Sequence, residues 1–166
     1  NWEFDYNVKT VITEICRTGM LPEQKSHQYY PTPWHIAKRV VEWADIKPAE
    51  QVLEPSAGQG AIADQIRKDA LIYCIDISRL HCDVLKAKGY ERVQCTDFLK
   101  YSPSVKWDKC VLNPPFADKR AEMHVQHAVE LLKEGGVLVA VLPASCKNKT
   151  IVEGWKHEYS EVLHNE

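Results

Sequence analysis

Two hydrophobic periods succeed one another along this chain. Over Trp34–Ala44 the apolar residues Ile36, Ala37, Val40, Val41 and Ala44 recur at helical spacing, and Pro48 closes the segment. Beyond it, short apolar runs read as strands: "QVLEP" (51–55), "LIYCIDI" (71–77), "RVQC" (92–95), "KCVL" (109–112) and "VLVAVLP" (137–143). Between them, "GAIADQIRKDA" (60–70), "RLHCDVLKAKG" (79–89) and "RAEMHVQHAVELLKEGG" (120–136) read as helices. Gly89 suits a helix C-terminal cap, and Gly135 with Gly136 suits a helix stop. Strands that alternate with helices, several of them continuously apolar, predict an α/β fold. Its sheet is mainly parallel, with helices on both faces. Residues 1–29 form an N-terminal extension, helical or irregular, with a short helix expected near 8–16. Residues 30–166 form one domain whose last stretch, "IVEGWKHEYSEVLHNE", is polar and helix-like.

Composition narrows this little. At 166 residues, with 45% hydrophobic and 27% charged positions, the chain has the make-up of one ordinary globular domain. A net charge of −2 neither announces nor excludes a polyanionic partner, so a polyanion site must be a local patch. No run approaches the ~18 apolar residues of a membrane-spanning helix, and no basic-then-apolar start marks a signal peptide. The six cysteines contain no Cys-x-x-Cys pair. Cys74, Cys95 and Cys110 lie in apolar runs, where a thiol acts as a small hydrophobe. Free thiols, a cytoplasmic setting and no metal site are the expectation.

Candidate chemistry gathers at the ends of the expected strands. "EPSAGQGAIA" places Gly58 and Gly60 between the first strand and the following helix, Ala63 completes a G-x-G-x-x-A pattern, and Asp76 ends the next strand. Such glycines allow a tight turn and close approach of a ligand to the backbone, and an acid at the second strand end can grip ribose hydroxyls. The loop thus indicates a nucleoside-type cofactor and leaves open whether it is NAD or S-adenosylmethionine. Asp97 and Phe98 follow the third strand, where an acid can accept from an exocyclic amine and an aromatic ring can stack on a purine. "NPPF" (113–116) ends the fourth. A strand cannot continue through two prolines, and a simple turn needs no such rigid corner.

Taken in order, "YPTP", "EPSAGQG", "CIDI", "CTDF" and "NPPF" resemble the S-adenosylmethionine-dependent adenine-N6 DNA methyltransferases, a phage and restriction–modification type, over roughly 29–143. The Asn-Pro-Pro-aromatic corner is the specific part of the resemblance. It implies a Rossmann-like methyltransferase fold, S-adenosylmethionine as cofactor with S-adenosylhomocysteine as product, and a DNA substrate whose target adenine is flipped out. The Asn113 side-chain oxygen and the Pro114 carbonyl would hold the two N–H bonds of the adenine amine. Pro115 would stiffen the corner and Phe116 stack on the base. Tyr30 and Thr32 would close over the methionine end of the cofactor; Thr32 could otherwise punctuate the following helix. Glu54, Ser56, Ala57, Gly58 and Gly60 would surround its amino-acid portion and sulfonium. Asp76 with Ile77 would take ribose and adenine, and Asp97 with Phe98 the adenine. Lys119, Arg120, Lys147 and Lys149 fall where phosphates would lie.

The resemblance also implies sixth and seventh strands, so C-terminal strands are expected to be missing, and specificity would come from loops or a partner subunit. Similar corners occur in methyltransferases acting on RNA bases or on a protein glutamine, which stay open as acceptors. A catalytically silent cofactor-binding subunit also stays open, and an NAD-dependent oxidoreductase would leave "NPPF" without a role. His124 and His127, three residues apart, and His81 beside Cys82 are expected to face solvent rather than bind metal. Trp43 and Trp155 are expected at the core or its rim.

Overall fold

The computed structural model describes residues 31–160; the N-terminal extension with its expected helix near 8–16, and Tyr30 after it, lie outside the described residues. In chain order the elements are α1 (Trp34–Ala44), β1 (Gln51–Pro55), β2 (Leu71–Asp76), α2 (Arg79–Ala87), β3 (Val93–Cys95), β4 (Trp107–Leu112), α3 (Arg120–Glu130) and β5 (Leu132–Ala140). The strands form one sheet of order β3-β2-β1-β4-β5, and every recorded pair is parallel. The chain steps outward from β1 to β3, then returns to lay β4 beside β1. That reversal opens a crevice at the carboxyl ends of β1 and β4, the place where ligands bind in open α/β sheets.

Strand periodicity builds a core on each face. Val52 and Val111 pack with Ile36, Ala37, Val40 and Ala44 of α1 and with Ile62 and Ile66. Their neighbours Leu53, Cys110 and Leu112 turn the other way, onto Phe98, Trp107, Ala128 and Leu131. Each buried Val, Leu, Ile or Phe among them contributes about 1.5–3 kcal/mol and each Ala less, so the helices are held to the sheet mainly by these stripes. No helix among the described residues is long and apolar enough to cross a membrane.

Three elements differ from the sequence pattern. The expected helix over 60–70 shrinks to a single turn, Ala63–Gln65, because Ile66 leaves the helical region (ψ 140°) to bury its side chain. Asp64 is meanwhile drawn across to Lys88 and the Tyr90 hydroxyl. The expected helix over 120–136 stops at Glu130, since Leu132 already pairs with Trp107 in the sheet. Gly135 and Gly136 therefore serve an irregularity in β5 rather than a helix stop. The register slips between Trp107 and Lys109, Gly135 sits at φ 75°, and a Cβ on Gly136 would come within 2.9 Å of the Lys133 carbonyl. Finally, residues 151–160 form turns and bends rather than a helix. Gly89, at φ 95° just beyond α2, does occupy the left-handed conformation of a helix terminator.

Candidate active site

Because the sheet is parallel, Glu54, Asp76, Asp97 and Asn113 all emerge on one edge, and they line a single cleft of about 1620 Å³. Pockets for one small ligand usually measure about 300–1,000 Å³, so this cleft has room for a cofactor and part of a second molecule.

The glycine loop forms its floor. Ser56, Gly58 and Gly60 take φ values of 58°, 56° and 87°, so the loop coils back through left-handed conformations immediately after β1. At Gly60 a Cβ would stand 2.9 Å from Leu85 Cδ2, which leaves glycine as the fitting residue. Gly58 N–H donates to Asp76 Oδ2 at 2.8 Å. Asp76 Oδ1 accepts from Ser78 N–H at 2.8 Å and lies 3.1 Å from His81 Nδ1. Two carboxylate oxygens offer about four acceptor positions, and three are occupied by the protein. Asp76 is thus first the latch of the loop, with about one position left for a ligand hydroxyl. Ile77, next along, lines the cleft with an apolar side chain that is 49% exposed.

Glu54 is in the opposite condition. Its side chain is buried at 2% exposure, the Ala63 N–H offers it one hydrogen bond, and Oε2 has no partner among the described residues. Burial, reinforced by the charges of Asp64 and Asp76, holds its carboxyl well above the usual carboxylate range. A buried acceptor facing other acids is costly unless a cation or donor arrives.

At the end of β4, Asn113 donates its side-chain N–H to Thr32 Oγ1 at 2.9 Å, joining residues 81 positions apart. Pro114 and Pro115 line the cleft beside it, and Phe116 stands at the rim with 46% of its surface exposed. Asp118 and Lys119 follow with φ of 53° and 58°, two successive non-glycine residues in the left-handed region. Such strain gathers where a backbone must be held in one shape.

The other candidates divide. Phe98 is only 2% exposed and packs between the His124 and His127 rings at 5.3 and 4.8 Å, yet it also lines the cleft beside Asp97. Asp97 Oδ1 accepts from Leu99 N–H at 3.1 Å and from Arg120 at 3.4 Å, which commits Arg120 to that carboxylate rather than to open solvent. Lys149 pairs with Glu122 at 3.4 Å. Lys147 lines the cleft and is exposed, and Lys119 is exposed on the turn after the corner. Thr32 does not cap α1, whose N-cap is Pro33.

The histidines correct the expectation of solvent-facing rings. His81 and His124 are 3% and 2% exposed, and Cys82 is buried beside His81. His124 Nδ1 lies 3.3 Å from Ser56 Oγ, propping the glycine loop from α3. Burial, with the nearby Arg120 charge, pushes its pKa down to about 4, so the ring is neutral at physiological pH. The signal was present: Ala121, His124, Val125 and Ala128 form one helical stripe, and all four are buried. Cys95 is likewise exposed rather than buried, as β3 is the sheet's edge among the described residues. Trp43 and Trp155 are 44% and 37% exposed and both line the cleft.

Comparison with known proteins fits this geometry. No family model matches the chain. A curated tRNA1(Val) (adenine(37)-N6)-methyltransferase from Aliivibrio fischeri is 33% identical over 84 residues, 45% of this chain and 36% of that protein. Among solved structures, the methyltransferase subunit of a type I restriction–modification system from Streptococcus thermophilus matches with a TM-score of 0.62 at 15% identity. The match covers 74% of this chain and 36% of that one. The fold is that of the Rossmann-like methyltransferases. Coclaurine N-methyltransferase, solved with N-methylheliamine and S-adenosylhomocysteine, matches with a TM-score of 0.57 at 17% identity, over 64% of this chain and 34% of its own. The chain spans about a third of the length of the curated relative it matches.

Proposed function

We propose that this chain binds S-adenosylmethionine and directs its methyl group to the N6 amine of an adenine in nucleic acid. The observation that carries the reading is the pairing, in one cleft, of a buried carboxyl with one unpartnered oxygen, that of Glu54, with the Asn113-Pro114-Pro115-Phe116 corner. When bound, S-adenosylmethionine supplies an electrophilic methyl on a positively charged sulfur and carries an α-ammonium group. Glu54 Oε2 suits that ammonium: a cation there would satisfy an acceptor that the fold leaves bare, and would bring the carboxyl back toward ionisation. The Ser56–Gly60 loop offers backbone close to the ligand, Asp76 retains about one acceptor position for a ribose hydroxyl, and Ile77 offers an apolar face.

The corner acts on the acceptor. The amine of adenine is a weak nucleophile because its lone pair is delocalised into the ring. With its N–H bonds directed at Asn113 Oδ1 and the Pro114 carbonyl, the nitrogen is drawn toward tetrahedral geometry and its lone pair becomes available. The prolines fix these acceptors in advance, so no reorganisation is needed during the reaction. After transfer the extra N6 proton leaves to solvent, and no residue of the corner has to accept a proton beforehand. Phe116, half-exposed at the rim, gives the base a face on which to stack, worth about 1–3 kcal/mol. That offsets much of the few kcal/mol required to flip a paired base.

DNA is the first acceptor on this reading, from the order and form of the motifs. RNA is the second, favoured by the relative that modifies a tRNA adenine. Sequence selectivity would reside in the loops at the cleft mouth or in a partner subunit. The test is parallel incubation of labelled S-adenosylmethionine with DNA, RNA and protein mixtures, with cofactor binding followed by calorimetry. Label in either nucleic acid supports the reading and names the acceptor. Label confined to protein, or cofactor binding with no transfer, overturns it in favour of a glutamine-type acceptor or a silent subunit.

A further inference from the structure

We infer that Thr32 is a positioning residue for the catalytic corner: it anchors the Asn113 side chain by its amide nitrogen, with the amide oxygen left toward the substrate. The inference rests on the adenine-N6 reading of the site. An asparagine amide presents a donor on one side and an acceptor on the other, and only the acceptor serves an incoming amine. A flip of the amide would set N–H against N–H and repel the base. In this protein the side chain is anchored by the bond from Asn113 Nδ2 to Thr32 Oγ1, 2.9 Å long. With the nitrogen so engaged, Oδ1 is the group left for the cleft.

The fold gives Thr32 the rigidity such a role needs. It is flanked by Pro31 and Pro33, each with its φ fixed by the ring. The Pro33 carbonyl accepts from Ile36 and Ala37 N–H at 3.0 and 2.9 Å, tying the segment to the first turn of α1. Ile36, Ala37 and Val40 then pack in the same cluster as Val111, two residues before Asn113 on the chain. Helix α1 therefore holds Thr32 in register with the end of β4. The hydroxyl has no other structural task in view, because it does not cap the helix. This differs from the role implied by resemblance, in which Thr32 closes over the methionine end of the cofactor, and the two roles move different observables.

The experiment compares wild type, Thr32→Val and Thr32→Ser for kcat on the adenine acceptor, for cofactor affinity by calorimetry, and for solvent exchange of the Asn113 side-chain amide protons by NMR. Positioning predicts that Thr32→Val lowers kcat by about tenfold, the worth of one well-placed hydrogen bond. Cofactor affinity stays unchanged, amide exchange accelerates, and Thr32→Ser restores all wild-type values. Wild-type kcat and exchange in Thr32→Val overturn the inference; so does a loss confined to cofactor affinity. Should Thr32→Val not fold, Thr32→Ala is read against the same outcomes. If wild type methylates no adenine, the functional reading falls. The exchange measurement then separately decides whether Thr32 holds the amide.

Discussion

The ends of β1 and β2 lie side by side in the sheet, yet their carboxylates are in opposite states. Asp76 is surrounded by donors and accepts from Gly58, Ser78 and His81. Glu54 is also buried, feels the charges of Asp64 and Asp76 more than that of Lys88, and keeps an oxygen without a partner among the described residues. A buried polar group that the protein satisfies is part of the scaffold. One that the protein leaves unsatisfied lowers stability and persists where a ligand completes it. By this criterion the loop is self-sufficient without a ligand, and on the proposed function the carboxyl of β1 is where the ligand's cationic end would lie. The corner at β4 is tied to the scaffold on one side through Thr32 and, on the proposed function, would meet the substrate on the other.

Removing the satisfied member should have the largest effect. Asp76→Ala deprives the buried Gly58 and Ser78 N–H groups of their acceptor and the buried His81 ring of one neighbour, and is expected to destabilise the protein by about 3 kcal/mol, read as a shift of the urea midpoint. A wild-type midpoint would show that the latch is not needed. On the substrate side, Phe116→Ala is expected to weaken acceptor binding by about 1–3 kcal/mol while leaving cofactor affinity and the melting temperature unchanged. The sharpest contrast with Asp76 concerns Glu54. Its pKa is raised above 4.5 in the fold. Below that pH both folded and unfolded chains carry the proton. As the pH rises, the unfolded chain ionises first and wild-type stability falls. Glu54→Gln is therefore expected to make the ligand-free protein more stable at pH 7, by about 1.4 kcal/mol for each pKa unit. That gain should vanish below pH 4.5. The same variant should weaken cofactor binding, so stability and binding move in opposite directions. For Asp76→Ala they fall together.

Much of this architecture could be read from the chain because it depends on local periodicity and on breakers. Val52 and Leu53, or Val111 and Leu112, need only alternate to specify a two-sided sheet. Pro114 and Pro115 could only end a strand. What stayed hidden depends on tertiary partners. Nothing near 60–70 reports that Ile66 prefers the core to a second helical turn. Nor does "LLKEGG" reveal that Trp107 captures Leu132 into the sheet before the glycines are reached. At the site, the strand-end positions of Glu54, Asp76, Asp97 and Asn113 followed from strand order. Their individual states did not. Whether an acid is latched or bare, or a phenylalanine core or platform, is decided by residues distant in sequence. Gly58 for Asp76, His124 for Ser56 and Thr32 for Asn113 are such residues.

The central claim is that the corner at β4 presents adenine N6 to a methyl donor held at β1. Nucleoside mass spectrometry of DNA and RNA after incubation with S-adenosylmethionine tests it most directly, with wild type and Asn113→Ala side by side. The account predicts N6-methyladenine with wild type and a fall of about 10²–10³-fold with Asn113→Ala, whose cofactor binding is retained. Methyl groups on another base or ring position, or the same yield from Asn113→Ala, would contradict it.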